Sequence, residues 1–227
     1  MERIPIIKIF FKNLRILPFV IFIWNCENQF SKNELYLPPG KPDAFPELTE
    51  RNRLLGELSP ERSCYDVLHY LIDIDFDIEK KYIKGFVEIR STAKADFSIL
   101  QIDLARKMML NKVEFQDQIL KTSRKKDAVF IEFPNIKDGE NFTFRIYYEG
   151  KPLESKNPPW DGGFVWEKDK DGRPFISVAC EGDGASLWWP LKDHIADEPD
   201  EGATMTFTVP SELYCVSNGR LIDISST

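Results

Sequence analysis

The most regular pattern in this chain is an alternation of apolar and acidic residues. Ile72, Ile74 and Phe76 alternate with Asp73 and Asp75. Successive side chains of a β-strand point to opposite faces of a sheet, so a period of two predicts a strand with one buried side and one acidic, solvent-facing side.

Further short apolar segments follow, separated by clusters of turn-forming residues. No segment between them has the period of an amphipathic helix. This spacing predicts one all-β domain over residues 64–227, an antiparallel β-sandwich or saddle-shaped sheet. After the first strand from Tyr65, the predicted strands are Tyr82–Ser91, Phe97–Leu104, Met109–Phe115, Ala128–Phe133, Asn141–Tyr148, Phe164–Trp166, Phe175–Cys180, Thr204–Val209 and Leu213–Ser217.

The N-terminus has a different composition. Residues 1–15 carry four basic residues and one acid, and nine mostly apolar residues, Ile16–Trp24, follow. This arrangement is typical of an export signal, and the apolar segment is short for a bilayer span. We therefore predict an export signal over residues 1–25 and a location in the cell envelope; an uncleaved anchor is the alternative. Cys26 is a candidate for lipidation and membrane anchoring, although the bulky Trp24 departs from the small residues usual before such a cysteine.

Residues 26–63 are rich in proline and charged residues and have no sustained apolar period. This composition predicts a tether between a membrane surface and the β-domain. Within it, residues 49–58 (TERNRLLGEL) predict a short helix.

Composition narrows the expected partners. The formal charge is −7, and the basic residues between positions 121 and 126 are interpreted as a solvated hairpin turn, so we expect no nucleic-acid partner. The four cysteines show no CxxC spacing, so we expect no cysteine zinc site. Cys180 and Cys215 lie in apolar, strand-like segments and are interpreted as small core residues.

The sequence contains no HExxH, GxSxG or P-loop motif, and hence no recognisable catalytic residues. His69 lies in a strand pattern, which indicates a structural role. His194 stands next to Asp193 and near Asp197. A metal site with these acids is conceivable, but hydrogen bonds within a turn are the favoured interpretation, and we expect no metal to be bound by this chain.

The segment from Glu181 to Pro199 combines two adjacent tryptophans, a glycine-rich turn and several acids. Glu181 follows an apolar strand and precedes Gly182-Asp183-Gly184, a turn that can present a carboxylate at the end of a strand. Such a carboxylate can pair with a substrate ammonium group. A solvated turn acid is the alternative.

Residues 158–221, with WWPLKDHIADEPD in their second half, resemble the N-terminal domain of the M1-family zinc aminopeptidases, particularly a bacterial branch. The resemblance covers most of residues 64–227. It implies a β-saddle that packs beside a thermolysin-like catalytic domain, which carries the zinc, the HExxH motif and the GxMEN motif. That domain is expected to begin just after residue 221, so we expect both motifs to be absent from this chain.

The resemblance also implies a role for one residue. The family binds the free α-amino group of its substrate with a Gln or Glu nine positions before a proline, and counting back nine from Pro190 gives Glu181. Leu191 departs from the cysteine that often follows that proline, a difference expected to affect packing.

The resulting hypothesis is the substrate-amine-binding portion of a zinc aminopeptidase that removes N-terminal amino acids from peptides, inactive without its catalytic domain. An HExxH motif downstream in the reading frame would support it.

The alternative is a stand-alone, non-catalytic β-sandwich module that binds peptide or carbohydrate on a platform of tryptophans, Trp160, Trp166, Trp188 and Trp189. For these rings, however, the favoured role is to fill the saddle and its interface. We also expect an apolar patch around Trp188-Trp189 that promotes self-association of the chain.

Overall fold

The computed structural model describes residues 5–10, by their backbone, and residues 47–226. Among these residues no helix is long and apolar enough to cross a membrane. Cys26 lies outside them, and β1 is the only part of the predicted export signal inside them, so the signal and the lipidation stay predictions. The elements are β1 (Pro5–Phe10), α1 (Glu50–Gly56), α2 (Pro60–Ser63), β2 (Tyr65–Asp77), β3 (Tyr82–Ala93), β4 (Phe97–Asp103), β5 (Met109–Phe115), β6 (Gln118–Leu120), β7 (Thr122–Lys125), β8 (Ala128–Ile136), β9 (Asn141–Gly150), β10 (Gly163–Lys168), β11 (Pro174–Ala179), β12 (Ala203–Thr208) and β13 (Arg220–Ser226), with a 3-10 helix at Ala185–Leu187.

The strand with alternating apolar and acidic residues, β2, lies inside an eight-stranded sheet with the order β13-β1-β12-β2-β3-β9-β5-β6. Neighbouring strands run antiparallel except β12 and β2, which are parallel. Ile72 and Ile74 are 1% and 0% exposed, whereas Asp73 and Asp75 are only partly buried. The predicted half-buried strand is therefore confirmed.

Two smaller sheets complete the fold, a three-stranded one with the order β4-β8-β7 and the two-stranded hairpin β10-β11. The three-stranded sheet packs on the large sheet through aromatic rings. The ring of Phe133 in β8 lies 5.2 Å from that of Phe115 in β5 and 5.2 Å from that of Phe144 in β9, edge to face in both cases. This packing of sheet on sheet confirms the predicted all-β class.

The predicted strand Leu213–Ser217 is wrong, because this segment is irregular and the last strand is β13. The alternation of burial is present: Leu213 and Cys215 pack against the core, while Tyr214 and Val216 are 88% and 90% exposed. What the segment lacks is a neighbouring strand to complete its backbone hydrogen bonds. Periodicity in a sequence indicates which side is buried, and it does not show whether a strand has a partner.

The basic segment at residues 121–126 is more ordered than the predicted hairpin turn. It forms the edge strand β7, and the turn is confined to residues 126–127. The guanidinium of Arg124 donates hydrogen bonds to the backbone carbonyls of Met108 at 2.7 Å and Ala105 at 2.8 Å. Burial lowers the pKa of Arg124. The charged side chain of Arg124 therefore contributes to the structure, and the prediction of a solvated hairpin turn is wrong for this residue.

The second half of the predicted tether is folded onto the β-structure. The predicted short helix is confirmed as α1, which begins with a capping box between Thr49 and Asn52. Helix α2 begins with Pro60, a favoured first helical residue. In α2, Arg62 is 0% exposed and donates to both carboxylate oxygens of Asp103 in β4, at 2.6 and 2.7 Å. The packed structure thus begins before the predicted boundary at residue 64.

The Arg62–Asp103 pair has both side chains fully buried. Burial raises the pKa of Asp103 to about 6, so its carboxylate is ionised at neutral pH opposite the Arg62 guanidinium. Asp103 also accepts hydrogen bonds from Gln101 Nε2 at 3.1 Å and from the backbone N–H of Asp193 at 3.2 Å. A change at Asp103 therefore affects three different parts of the chain.

We expect Asp103→Asn to lower the free energy of unfolding by about 3 kcal/mol or more, because it leaves a buried guanidinium without a counter-ion. The control is Asp96→Asn, which removes the same charge from an exposed pair with Lys137, 2.7 Å long. Its urea midpoint should change far less, since exposed ion pairs contribute little. Equal midpoint shifts in urea denaturation of the two variants would contradict the role of the buried pair.

Candidate functional site

Glu181 lies in a tight turn that directly follows β11. The backbone N–H groups of Asp183 and Gly184 both donate to the carbonyl of Cys180, at 3.3 and 2.9 Å. Gly182 and Gly184 have φ angles of 79° and 83°, a left-handed conformation that favours glycine. The Glu181 side chain is exposed and makes no hydrogen bond or ion pair within the described part of the chain. The turn presents this carboxylate at the end of a strand, as the sequence predicts, and its role in binding stays a prediction.

The neighbouring acids instead accept hydrogen bonds from backbone N–H groups. Asp183 accepts a hydrogen bond from the N–H of Gly162, with Oδ2 at 3.2 Å, and so ties the turn to the start of β10. Asp161 accepts hydrogen bonds from the segment 155–157. Among Asp161, Glu181 and Asp183, only Glu181 has no side-chain partner within the residues that the structure describes.

Asp193 supports the turn from its other side. Its Oδ2 accepts a hydrogen bond from the backbone N–H of Ser186 at 3.0 Å. The same carboxylate lies so close to Gly184 that a Cβ there would be 2.0 Å from Oδ2. The backbone N–H of Asp193 in turn donates to Asp103 Oδ2 at 3.2 Å. The turn is thereby connected to the buried ion pair of β4.

The two adjacent tryptophans point inward, so the predicted exposed patch around them is wrong. Trp189 is 9% exposed, and its ring stands edge-on to that of Tyr70 at 5.1 Å. Trp188 packs against Phe164 of β10 and Phe207 of β12, with ring centroids 5.6 and 6.4 Å apart. These rings fill the space between the hairpin and the large sheet. Exposed large apolar side chains lie elsewhere, at Trp160, Phe175, Ile195, Tyr214 and Val216 among others.

The four tryptophans of the alternative binding platform do not share an exposed surface. Trp166 stacks on Phe164 at 5.2 Å, and Trp188 and Trp189 are packed as described. Trp160 differs from them, because it is 83% exposed. The contacts support the favoured interpretation, in which most of these rings fill the interior.

Both ring nitrogens of His194 make hydrogen bonds. Nδ1 accepts from the backbone N–H of Ala196 at 3.1 Å, so Nε2 carries the proton and donates to the carbonyl of Gly56 at 3.3 Å. Asp197, the nearby acid, forms an ion pair with Lys192. Within residues 47–226, no group of three or more His, Cys, Asp and Glu side chains is arranged to hold a metal ion. These contacts support the hydrogen-bonded turn over the metal site.

His69 and the described cysteines also have structural surroundings. His69 Nε2 lies 3.1 Å from Thr204 Oγ1, and burial lowers the pKa of this histidine. The three cysteines are free thiols. Burial raises the pKa of Cys64 and Cys215 to about 11 and also raises that of Cys180. Protonated thiols are poor nucleophiles, which suits small packing residues better than reactive ones.

Lys192 is the residue that the sequence argument overlooked. It is 6% exposed, its Nζ donates to the carbonyl of Tyr65 at 2.5 Å, and it pairs with Asp197. No local pattern marks it, because the burial of Trp189 and Pro190 that keeps this side chain from water is known only from the structure. Through its contacts with Asp197 and with the carbonyl of Tyr65, Lys192 fixes the loop that follows the tryptophans onto the start of β2.

A cleft of about 370 Å³ lies between the β4–β5 connection and β7, lined by residues 106–110, 122–124 and 129. None of the predicted site residues lines it. The cleft is therefore separate from the candidate site at Glu181.

We expect Gly184→Ala to destabilise the fold more than Gly182→Ala. Both glycines have positive φ, so alanine at either position costs about 1 kcal/mol of backbone strain. At Gly184 the added methyl group also meets the Asp193 carboxylate, whereas nothing lies within 4 Å of a Cβ on Gly182. Thermal unfolding should therefore give the lower Tm for Gly184→Ala, and equal Tm values would show that the Asp193 contact does not constrain the turn.

Known proteins support this description at the level of the fold. No protein-family profile and no curated protein matches the sequence. Among solved structures, a two-domain M1 zinc metallopeptidase variant bound to L-tryptophan matches 67% of this chain with a TM-score of 0.51 and 23% identity. Native leukotriene A4 hydrolase from Saccharomyces cerevisiae matches 67% of it with a TM-score of 0.51 and 19% identity. This chain covers 33% of the first protein and 24% of the second, so it spans only a part of either. The chain has the fold of the N-terminal domain of the M1 zinc metallopeptidases.

Proposed function

We propose that this chain forms the substrate-amine-binding, N-terminal portion of a zinc aminopeptidase of the bacterial M1 branch, and that Glu181 binds the free α-ammonium group of a peptide. The observation that carries the proposal is the state of Glu181. It is an exposed carboxylate with no partner in the described chain, on a turn held from both sides by Asp183 and Asp193. An anchor for a cation needs both a free charge and a fixed position.

The chemistry of the anchor follows from charge and geometry. A carboxylate accepts charge-assisted hydrogen bonds from an ammonium group, and these are about twice as strong as neutral ones. An internal peptide bond has no ammonium group beside it, so such an anchor favours removal of single residues from the N-terminus. The described residues offer no group to hold the zinc, so we place its ligands in a catalytic domain beyond them. There a zinc ion would polarise the scissile carbonyl and activate a water.

The first test replaces Glu181 in the full-length protein encoded by this reading frame. We expect Glu181→Ala to lower kcat/KM for amino-acid p-nitroanilides by one to two orders of magnitude, about the 1.5–3 kcal/mol of a hydrogen bond to a charged group. The matched control is Glu167→Gln, which neutralises an exposed acid at the far end of the same hairpin and should leave kcat/KM unchanged. A full-length enzyme that tolerates Glu181→Ala as well as it tolerates Glu167→Gln would refute the anchor.

A second test concerns the 227-residue chain by itself. We expect it not to hydrolyse amino-acid p-nitroanilides or amidomethylcoumarins, with or without added zinc, because we place the metal ligands in the catalytic domain. Absorbance of released p-nitroaniline and fluorescence of released aminomethylcoumarin measure this with the purified chain, and the full-length protein is the positive control. Zinc-dependent turnover by the chain that is lost on adding a chelator would overturn this part of the proposal.

A further inference from the structure

Trp160 is an unusual tryptophan in this fold. Its side chain is 83% exposed, whereas the other tryptophans in the described residues stack on or pack against aromatic neighbours. Tryptophan has a large apolar surface, and an isolated exposed ring gains nothing for folding. Its exposed ring leaves a large apolar surface free for contact with a ligand.

The loop that carries Trp160 is held in place by hydrogen bonds. The carboxylate of Asp161 accepts from the backbone N–H of Lys156 at 2.7 Å and that of Asn157 at 2.8 Å, and also from the Ser155 hydroxyl. The backbone N–H of Trp160 donates to the carbonyl of Asn157 at 2.9 Å. The indole is thus displayed from an ordered segment, and ordering it beforehand reduces the entropy lost when it binds something.

This loop lies at the same end of the β10–β11 hairpin as Glu181. Gly163 pairs with Ala179 at the open end of the hairpin, and Trp160 stands three positions before Gly163 while Glu181 stands two positions after Ala179. The hydrogen bond from Gly162 to Asp183, at 3.2 Å, joins the loop to the turn of Glu181. An exposed aromatic ring and an exposed carboxylate are therefore carried by two linked segments at one end of the hairpin.

We propose that Trp160 forms an apolar wall for the side chain of the substrate's N-terminal residue and selects aromatic and large aliphatic residues there. The inference rests on the proposed role of Glu181. The α-ammonium group and the first side chain are bonded to the same carbon, so a surface next to the amine anchor meets this side chain before any other. Contact with a large ring stabilises the complex in proportion to the apolar area removed from water.

The experiment compares substrates that differ only in their first side chain, using p-nitroanilides of Phe, Leu and Ala and the full-length protein. We expect Trp160→Ala to lower kcat/KM for the Phe and Leu substrates roughly tenfold, the usual scale for apolar pockets, and to change it less than about twofold for Ala. Trp160→Phe keeps an aromatic wall and should retain most of the preference. Ile119→Ala, which removes an apolar side chain that is 69% exposed on edge strand β6, should leave all three values unchanged.

The outcomes separate this inference from the proposed function. If Glu181→Ala impairs hydrolysis but Trp160→Ala leaves the Phe-to-Ala ratio unchanged, the amine anchor stands and the apolar wall is refuted. A change only in the preference for the second residue, measured with dipeptide amides, refutes it as well. If Glu181→Ala leaves hydrolysis unchanged, the proposed function fails and the wall fails with it.

Discussion

The buried pair of Arg62 and Asp103 is the contact on which the candidate site depends. Asp103 binds the guanidinium of α2 with both oxygens and accepts the N–H of Asp193, whose carboxylate supports the turn of Glu181. Its backbone also exchanges two hydrogen bonds with Leu191, at 2.8 and 3.1 Å. Because a charge inside the protein cannot lose its partner without a large energetic cost, these contacts hold α2, β4 and the segment after the tryptophans in one arrangement.

That arrangement divides the acids of the site into two groups. The first group accepts hydrogen bonds from backbone N–H groups and so gives the loops their shape; it comprises Asp161, Asp183 and Asp193. Within the described residues Glu181 makes no such contact, and its carboxylate is exposed to solvent. The acids that shape the turn are therefore compensated by backbone dipoles, and the nearby Asp197 is compensated by Lys192, whereas the Glu181 carboxylate faces solvent.

Sequence patterns captured the features that depend on local order and missed those that depend on distant partners. The strand at Ile72–Ile74 followed from its period, and the turn of Glu181 from its glycines. The segment Leu213–Ser217 shows the right period but lacks a neighbouring strand. The exposed tryptophan patch was wrong because no pattern revealed that Phe164 and Phe207 cover Trp188. Arg62 and Asp103 are 41 positions apart, so no local signal joins them.

Under the proposed function, Glu181 works as one half of a larger site, and the energetics of a single exposed carboxylate fit that proposal. An ion pair in water contributes at most about 1 kcal/mol, whereas even millimolar binding requires about 4 kcal/mol. Glu181 and Trp160 as presented here fall short of that sum unless water is removed from around them. A catalytic domain packed over this end of the hairpin would lower the local dielectric and strengthen the contact with the ammonium group. Such a domain is part of the proposed function, and it would supply the affinity that the exposed carboxylate lacks by itself.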